Sequence, residues 1–199
     1  VDDAGNLIAV WQAGDGQILY RLLPASGEVP NNPVDCVPVG KASQAQVSGG
    51  SDGRFSLAYV AGEKPAGAIH TISFVDGQWE SPSAAVGSGR WPNIFLDEEE
   101  AIHLAWCSED NEVRYAGSGE SQTISSLSCG SRPEIAQDSQ GTLHTVWFGD
   151  SVVDVNGRIQ PQTLLYESTR AENTWSEPAI ISGTGTSTQP SIADTQTSL

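Results

Sequence analysis

The chain has 199 residues, 38% of them apolar, with 21 Gly and 11 Pro, enough for a core cut by many turns. Nine Lys and Arg against 25 Asp and Glu leave a formal charge of −16, which argues against nucleic acid and anionic lipid as partners, since both need clustered cations. No run approaches the length of a membrane-spanning helix, and a chain that opens on Val1 with no Met is expected to be a processed product or an excised segment.

In chain order, the first repeat lacks a first strand, because Val1-Asp2-Asp3 already belongs to the turn before its second strand, Gly5–Trp11 (GNLIAVW). Its third strand is Gln17–Leu22 and its fourth Val34–Val39. Repeat two runs through Gln44–Ser48, Gly53–Tyr59 (GRFSLAY), Ala68–Phe74 and Gln78–Val86. Repeat three runs through Pro92–Leu96, Glu100–Trp106 (EAIHLAW), Glu112–Ala116 and Gln122–Leu127. Repeat four runs through Pro133–Gln137, Gly141–Trp147 (GTLHTVW), Leu164–Ser168 and Trp175–Ile181. Each run is short and rich in Ile, Val, Leu, Thr, Tyr and Trp, which suits a pleated surface better than a helix. Gly49–Gly53, Gly87-Ser88-Gly89 and Gly183–Thr188 read as turns, and nothing reads as a domain boundary.

The second strands recur at offsets of 48, 47 and 41 residues. A period of this size carrying four strands predicts a propeller blade. The expected fold is all-β: one β-propeller of four four-stranded antiparallel blades, at about 1–40, 41–88, 89–130 and 131–182. The strand missing from blade one has a match at the other end, where Gln189-Pro190-Ser191-Ile192-Ala193-Asp194 parallels Arg132–Gln137. Three outcomes follow: this segment closes a four-bladed ring in cis, it pairs with another chain, or the chain is a slice of a larger propeller.

Chemistry-bearing residues mostly obey the repeat. His103 and His144 share one slot, as a hydrogen bond between adjacent strands requires and a catalytic base does not. Trp11, Tyr59, Trp106 and Trp147 share another, read as a core position between blades. Trp91 has no counterpart and stands beside Arg90, so the pair is a candidate platform for a sugar, with a loop-covering role as the other reading. Asp97-Glu98-Glu99-Glu100 reads as a solvated hairpin tip. Asp150 and Asp154, in the longest loop within a repeat, are the candidate calcium ligands, although neither group has EF-hand spacing and no other cofactor is indicated. Cys107 and Cys129 fall in one repeat and are the pair expected if oxidised, with buried thiols as the alternative and Cys36 left over.

The pattern P-x-I-A-x-D-x-x-G-x-L-H-x-x-W, followed by L-Y and T-W-S-E-P, resembles the Asp-box repeats of sialidase-like β-propellers over almost the whole chain. The Asp-box itself is degenerate: Ser168, Thr174 and Trp175 hold their slots, but Arg170 stands at the Asp position and Glu172 at the Gly position. The resemblance implies a fold. A sialidase would need three arginines, a Tyr–Glu nucleophile pair and an Asp acid, and here Arg90 and Arg132 sit at one repeat position while Tyr166 and Glu167 point to opposite strand faces. The expected function is therefore a non-catalytic extracellular or cell-surface module that binds or self-assembles through strand addition by Gln189–Asp194. The alternative is a glycan-active protein, either a lectin or a decayed glycosidase.

Overall fold

The computed structural model describes residues 2, 5–27, 34–51, 53–117, 121–155, 157–182 and 190–192, the side chains of 153–155 excepted. Every regular element among them is a β-strand. Repeat one contributes β1 (Leu7–Gln12), β2 (Gln17–Leu23) and the leading half of β3 (Asp35–Gly49). The rest of β3, β4 (Phe55–Ala61), β5 (Gly67–Val75) and β6 (Gln78–Trp79) form repeat two. Repeat three holds β7 (Gly87–Leu96), β8 (Ile102–Ser108), β9 (Val113–Ala116) and β10 (Gln122–Ser125). Repeat four holds β11 (Glu134–Gln137), β12 (Leu143–Val155), β13 (Arg158–Ala171), β14 (Thr174–Trp175) and β15 (Ala179–Ile180). All pairings are antiparallel: ten strands run unbroken through repeats one to three, and five make up repeat four.

The ten-stranded sheet is continuous because β3 and β7 each end one repeat and begin the next. The Gly87-Ser88-Gly89 turn expected from the sequence is instead strand, paired with Gly67–Ile69. Glycine permits this crossing: a β-carbon on Gly87 would lie 2.6 Å from the Trp106 ring, and one on Gly89 would overlap the Cys107 carbonyl. Both crossing strands bulge where they enter the new repeat, and there Gln44 and Trp91 take left-handed φ of 55° and 56°.

The turn from first to second strand is set by an aspartate. Asp97 Oδ1 accepts the N–H groups of Glu99 and Ala101 at 2.9 and 2.8 Å, and Asp138 Oδ1 accepts those of Gln140 and Thr142 at 2.9 and 2.8 Å. Asp2 does the same for Asn6 at 2.7 Å. Each such turn takes φ above zero three residues after the aspartate, at Gly5 and Gly141, both 82°, and repeat two, with Gly50 in the aspartate slot, keeps Gly53 there at 78°. Repeat three places Glu100 there at 62°. The acidic run is therefore more than a solvated tip: Asp97 builds the turn, and Glu100 bonds to Ser51 and Arg54 of repeat two.

The apolar side chains cluster between repeats. Leu57, Tyr59 and Ile72 pack on Ile18 and Val37 of repeat one; Trp106 and Leu104 pack on Val60 and Ile69; Trp147, Leu143 and Ile135 pack on Tyr115 and Val113. Tyr59, Trp106 and Trp147 are accordingly 3%, 2% and 0% exposed, whereas Trp11, in the same slot, is 40% exposed. The expectation of a core position fails at Trp11 because no preceding repeat among the described residues packs on its face, as repeats one, two and three do on Tyr59, Trp106 and Trp147. The fourth repeat also departs from expectation. Its supposed long loop is a regular hairpin, with β12 and β13 paired from Leu143↔Arg170 out to Val155↔Arg158.

Candidate functional site

Two clefts open at equivalent places between repeats, and their chemistry differs. Between repeats three and four, Arg170 lies opposite Leu143 near the end of β13, just before a two-residue turn in which Glu172 and Asn173 take φ of 49° and 70°. The turn folds Asn173 Oδ1 back to accept from Arg170 Nη2 at 2.8 Å. The guanidinium carbon stands 4.9 Å over the ring of Tyr115 from repeat three, and Trp175 meets that ring edge-on at 5.1 Å. Tyr115 Oη and His103 Nδ1 are hydrogen-bonded at 2.7 Å, and His103 Nε2 lies 2.9 Å from Asp97 Oδ2. The cleft beside this cluster measures about 340 Å³ and is lined by His103, Gln140, Thr142, Arg170, Glu172 and Asn173, among others.

Electrostatics fix the charge states around it. Burial raises the Tyr115 phenol above its ordinary value of 10.0, so it stays neutral. Burial opposes ionisation of Asp97 too, but its bonds from His103 and the Ala101 N–H outweigh that, and the carboxyl is held below 3.8. The cleft thus offers a fixed cation, a carboxylate, amide and hydroxyl groups and the edge of the His103 ring.

Between repeats one and two the same slots read differently. Phe74 takes the place of Arg170 and Phe55 that of Leu143, and with Leu22 they line an apolar cleft of about 360 Å³. A larger hollow of about 620 Å³ lies where the first-to-second-strand turns of repeats two, three and four converge, around Ser51, Asp97 and Asp138. Its aspartates are already committed to backbone N–H groups and histidines.

The residues singled out from sequence fall elsewhere. Arg90 and Trp91 do meet, with the guanidinium carbon 4.6 Å from the ring centre. Arg90 also donates to Asn111 Oδ1, the Trp91 N–H donates to Gln44 Oε1, and the Trp91 ring packs on the core; neither residue lines a cavity described here. Asp150 lies in β12, not in a loop, and accepts from Thr163 Oγ1 at 3.1 Å, while the Asp154 side chain is outside the described residues. Among the described residues no group of three or more His, Cys, Asp or Glu is arranged to hold a metal ion. Cys107 and Cys129 are joined in a disulfide with Cα atoms 5.7 Å apart, and Cys36 is an exposed thiol. Of the spare strand, Pro190, Ser191 and Ile192 are described and form no ladder, while Gln189, Ala193 and Asp194 lie outside the described residues. Tyr166 is buried and Glu167 bonds His144 Nδ1 at 2.8 Å, so they face apart. Sequence reasoning missed Tyr115 and Asn173, and it took Arg170 and Glu172 only as departures from an Asp-box. That placement of two charges at a turn was the available signal.

No family model matches the chain, and no curated protein matches it in sequence. Solved structures do. The Aleuria aurantia lectin, described as a six-bladed β-propeller with a novel fucose recognition mode, superposes with a TM-score of 0.55 at 15% identity, covering 88% of this chain and 61% of that one. A mercury derivative of the fucose-specific lectin from the same fungus gives 0.57 at 15% identity, covering 89% and 61%. A mutant of that lectin in complex with Fucα1-6GlcNAc gives 0.51 at 17%, covering 89% and 62%. These neighbours carry the propeller reading but not the sialidase or Asp-box type. The chain spans about 61% of the lectin's length and shares its all-β, antiparallel, propeller-like architecture.

Proposed function

We propose that this chain is a non-catalytic, extracellular glycan-binding β-propeller segment of four blades, one per repeat, and that the cleft between repeats three and four takes a fucose-like monosaccharide unit. The observation that carries this is the cleft itself, in a fold similar to that of fucose-binding lectins. Sugar recognition needs fixed donors and acceptors for hydroxyl groups beside an aromatic surface for the C–H face. Arg170 donates, the Glu172 carboxylate accepts, and Gln140, Thr142 and Asn173 can do either. The His103 ring supplies aromatic surface, while Tyr115, beneath Arg170 and against Trp175, holds the guanidinium in place. Charged donors and acceptors make the stronger hydrogen bonds, and the roughly 340 Å³ available suits one sugar ring. The disulfide favours an oxidising compartment. Among the sequence-based readings, this places the glycan alternative ahead of a module that only assembles.

Titration calorimetry with L-fucose and with Fucα1-6GlcNAc, alongside a glycan array, tests the reading. Binding is expected, with at least about tenfold loss in Arg170→Ala and in Glu172→Gln, since each removes a charge-assisted bond worth about 1.5–3 kcal/mol. No glycan bound, or binding that both variants retain, would overturn it.

A further inference from the structure

The cleft between repeats three and four shares part of its wall with a larger cavity. Gln137 and Gly141 line both it and the hollow of about 620 Å³ where the turns of repeats two, three and four converge. Gln137 Nε2 donates to Gly141 O at 3.0 Å, so these two residues form a joint boundary. A second link is aromatic. Phe95 of β7 lies opposite His103 of β8, and their rings stack at 6.1 Å and 28°, with Phe95 lining the hollow and His103 the cleft.

The hollow has polar chemistry of its own. Asp97 and Asp138 each use one carboxylate oxygen on backbone N–H groups and the other on His103 or His144, and the Ser51 hydroxyl is bonded to Glu100. The Glu98 carboxylate and the Ser139 hydroxyl are left over. They hold corresponding places in the turns of repeats three and four, both are exposed, and neither side chain has a partner among the described residues. Three carboxylates line the hollow, and among the described residues no Lys or Arg does. Such a wall accepts bonds from neutral hydroxyl groups and repels an anion.

Resting on the glycan reading above, we propose that the hollow is a second subsite, and that the cleft's ligand is a neutral oligosaccharide whose next sugar unit enters the hollow across Gln137 and Gly141. Glu98 accepts from the hydroxyl groups of that unit, Ser139 donates or accepts, and Phe95 offers ring surface to its C–H face. The volume of about 620 Å³ has room for at least one further ring. A sulfated or uronic unit is refused, because its charge meets Asp97, Glu98 and Asp138 with no cation beside them.

Titration calorimetry compares methyl α-L-fucoside, Fucα1-6GlcNAc and the same disaccharide sulfated on its GlcNAc. The neutral disaccharide is expected to bind about tenfold tighter than the fucoside, the effect of one or two further hydrogen bonds, and the sulfated one no tighter than the fucoside. Ser139→Tyr, which fills the hollow from an exposed turn position, is expected to abolish the disaccharide's advantage and to leave the fucoside's affinity unchanged. Glu98→Lys is expected to make the sulfated disaccharide the tighter of the two. Unchanged fucoside affinity also reports that each variant is folded. No binding of any of the three sugars would overturn the glycan reading and the subsite with it. A fucoside that binds, with a disaccharide no tighter, or with an advantage that survives both substitutions, would overturn the subsite alone.

Discussion

Glu100 holds Arg54 across two successive repeats: its Oε2 accepts from Arg54 Nη1 at 2.8 Å while its Oε1 accepts the Ser51 N–H at 2.9 Å. It does so from the turn slot where the other repeats have glycine, at φ 62°, and repeat two has Gly50 where its neighbours have the turn-building aspartate. One residue therefore replaces a missing cap in the preceding repeat at the cost of left-handed strain in its own.

That double role separates two substitutions. Glu100→Ala loses the clamp and keeps the strain, whereas Glu100→Gly loses the clamp and relieves it. Chemical denaturation is expected to find Glu100→Gly the more stable of the two by about 1 kcal/mol, with Glu100→Ala about 1–2 kcal/mol below the parent. Equal stabilities would mean that the strain is absent.

The same carboxylate gives an acid dependence. The Ser51 hydroxyl bond, with the Ser51 N–H and Arg54, holds Glu100 below its ordinary value of 4.5 despite burial that opposes this. A lowered folded value means the contribution is present above about pH 4.5 and disappears as pH falls through the folded value. Glu100→Gln is expected to be less stable than the parent at pH 6 and to converge with it in acid, read from unfolding midpoints across that range.

His144 behaves in the opposite sense. Burial disfavours the charged ring, but Glu167 at 2.8 Å and Asp138 at 3.2 Å outweigh it and raise the imidazole above 6.5. A raised value gives stability that is full below about pH 6.5 and lost as pH climbs through the folded value. NMR titration is expected to place the ring above 6.5, and His144→Gln to flatten the fall in stability on the alkaline side.

Gly87 has no room for a side chain. A methyl group there meets the Trp106 ring at 2.6 Å, between two strands that cannot both move. Gly87→Ala is expected to cost about 1–3 kcal/mol by overpacking, seen as a lower denaturation midpoint. A neutral result would show that β7 and Trp106 can part.

The Cys107–Cys129 bond closes a 22-residue separation within repeat three, beside the interface with repeat four. Its loss in the double Cys→Ser variant is expected to lower stability by about 2–4 kcal/mol. Reductant added to the parent is expected to move the unfolding midpoint the same way.

Much of the fold was legible in the residues because its causes are local. Alternation with period two, an Asp three residues before a Gly in repeats one and four, and an aromatic six residues after that slot in every repeat are set by strand and turn geometry within a few residues of chain. The same repeat placed Cys107 near Cys129 and assigned His103 and His144 to cross-strand bonds. Local pattern also misled where length was the variable: residues 149–163 alternate too weakly to announce a hairpin, and register propagated from Trp147↔Tyr166 extends the ladder through them.

What the sequence by itself determined is the unit: its strands, its turns and the identity of the slot that Trp11, Tyr59, Trp106 and Trp147 share. Only the tertiary structure decided what each unit meets. Tyr115 and Arg170 are 55 positions apart and stack on one another; Trp106 is buried and Trp11 is not, although both hold the same slot of the repeat. The physical reason is that a strand's period fixes which face a side chain takes, while burial and binding depend on what packs against that face, and packing between units is written in no single stretch of chain.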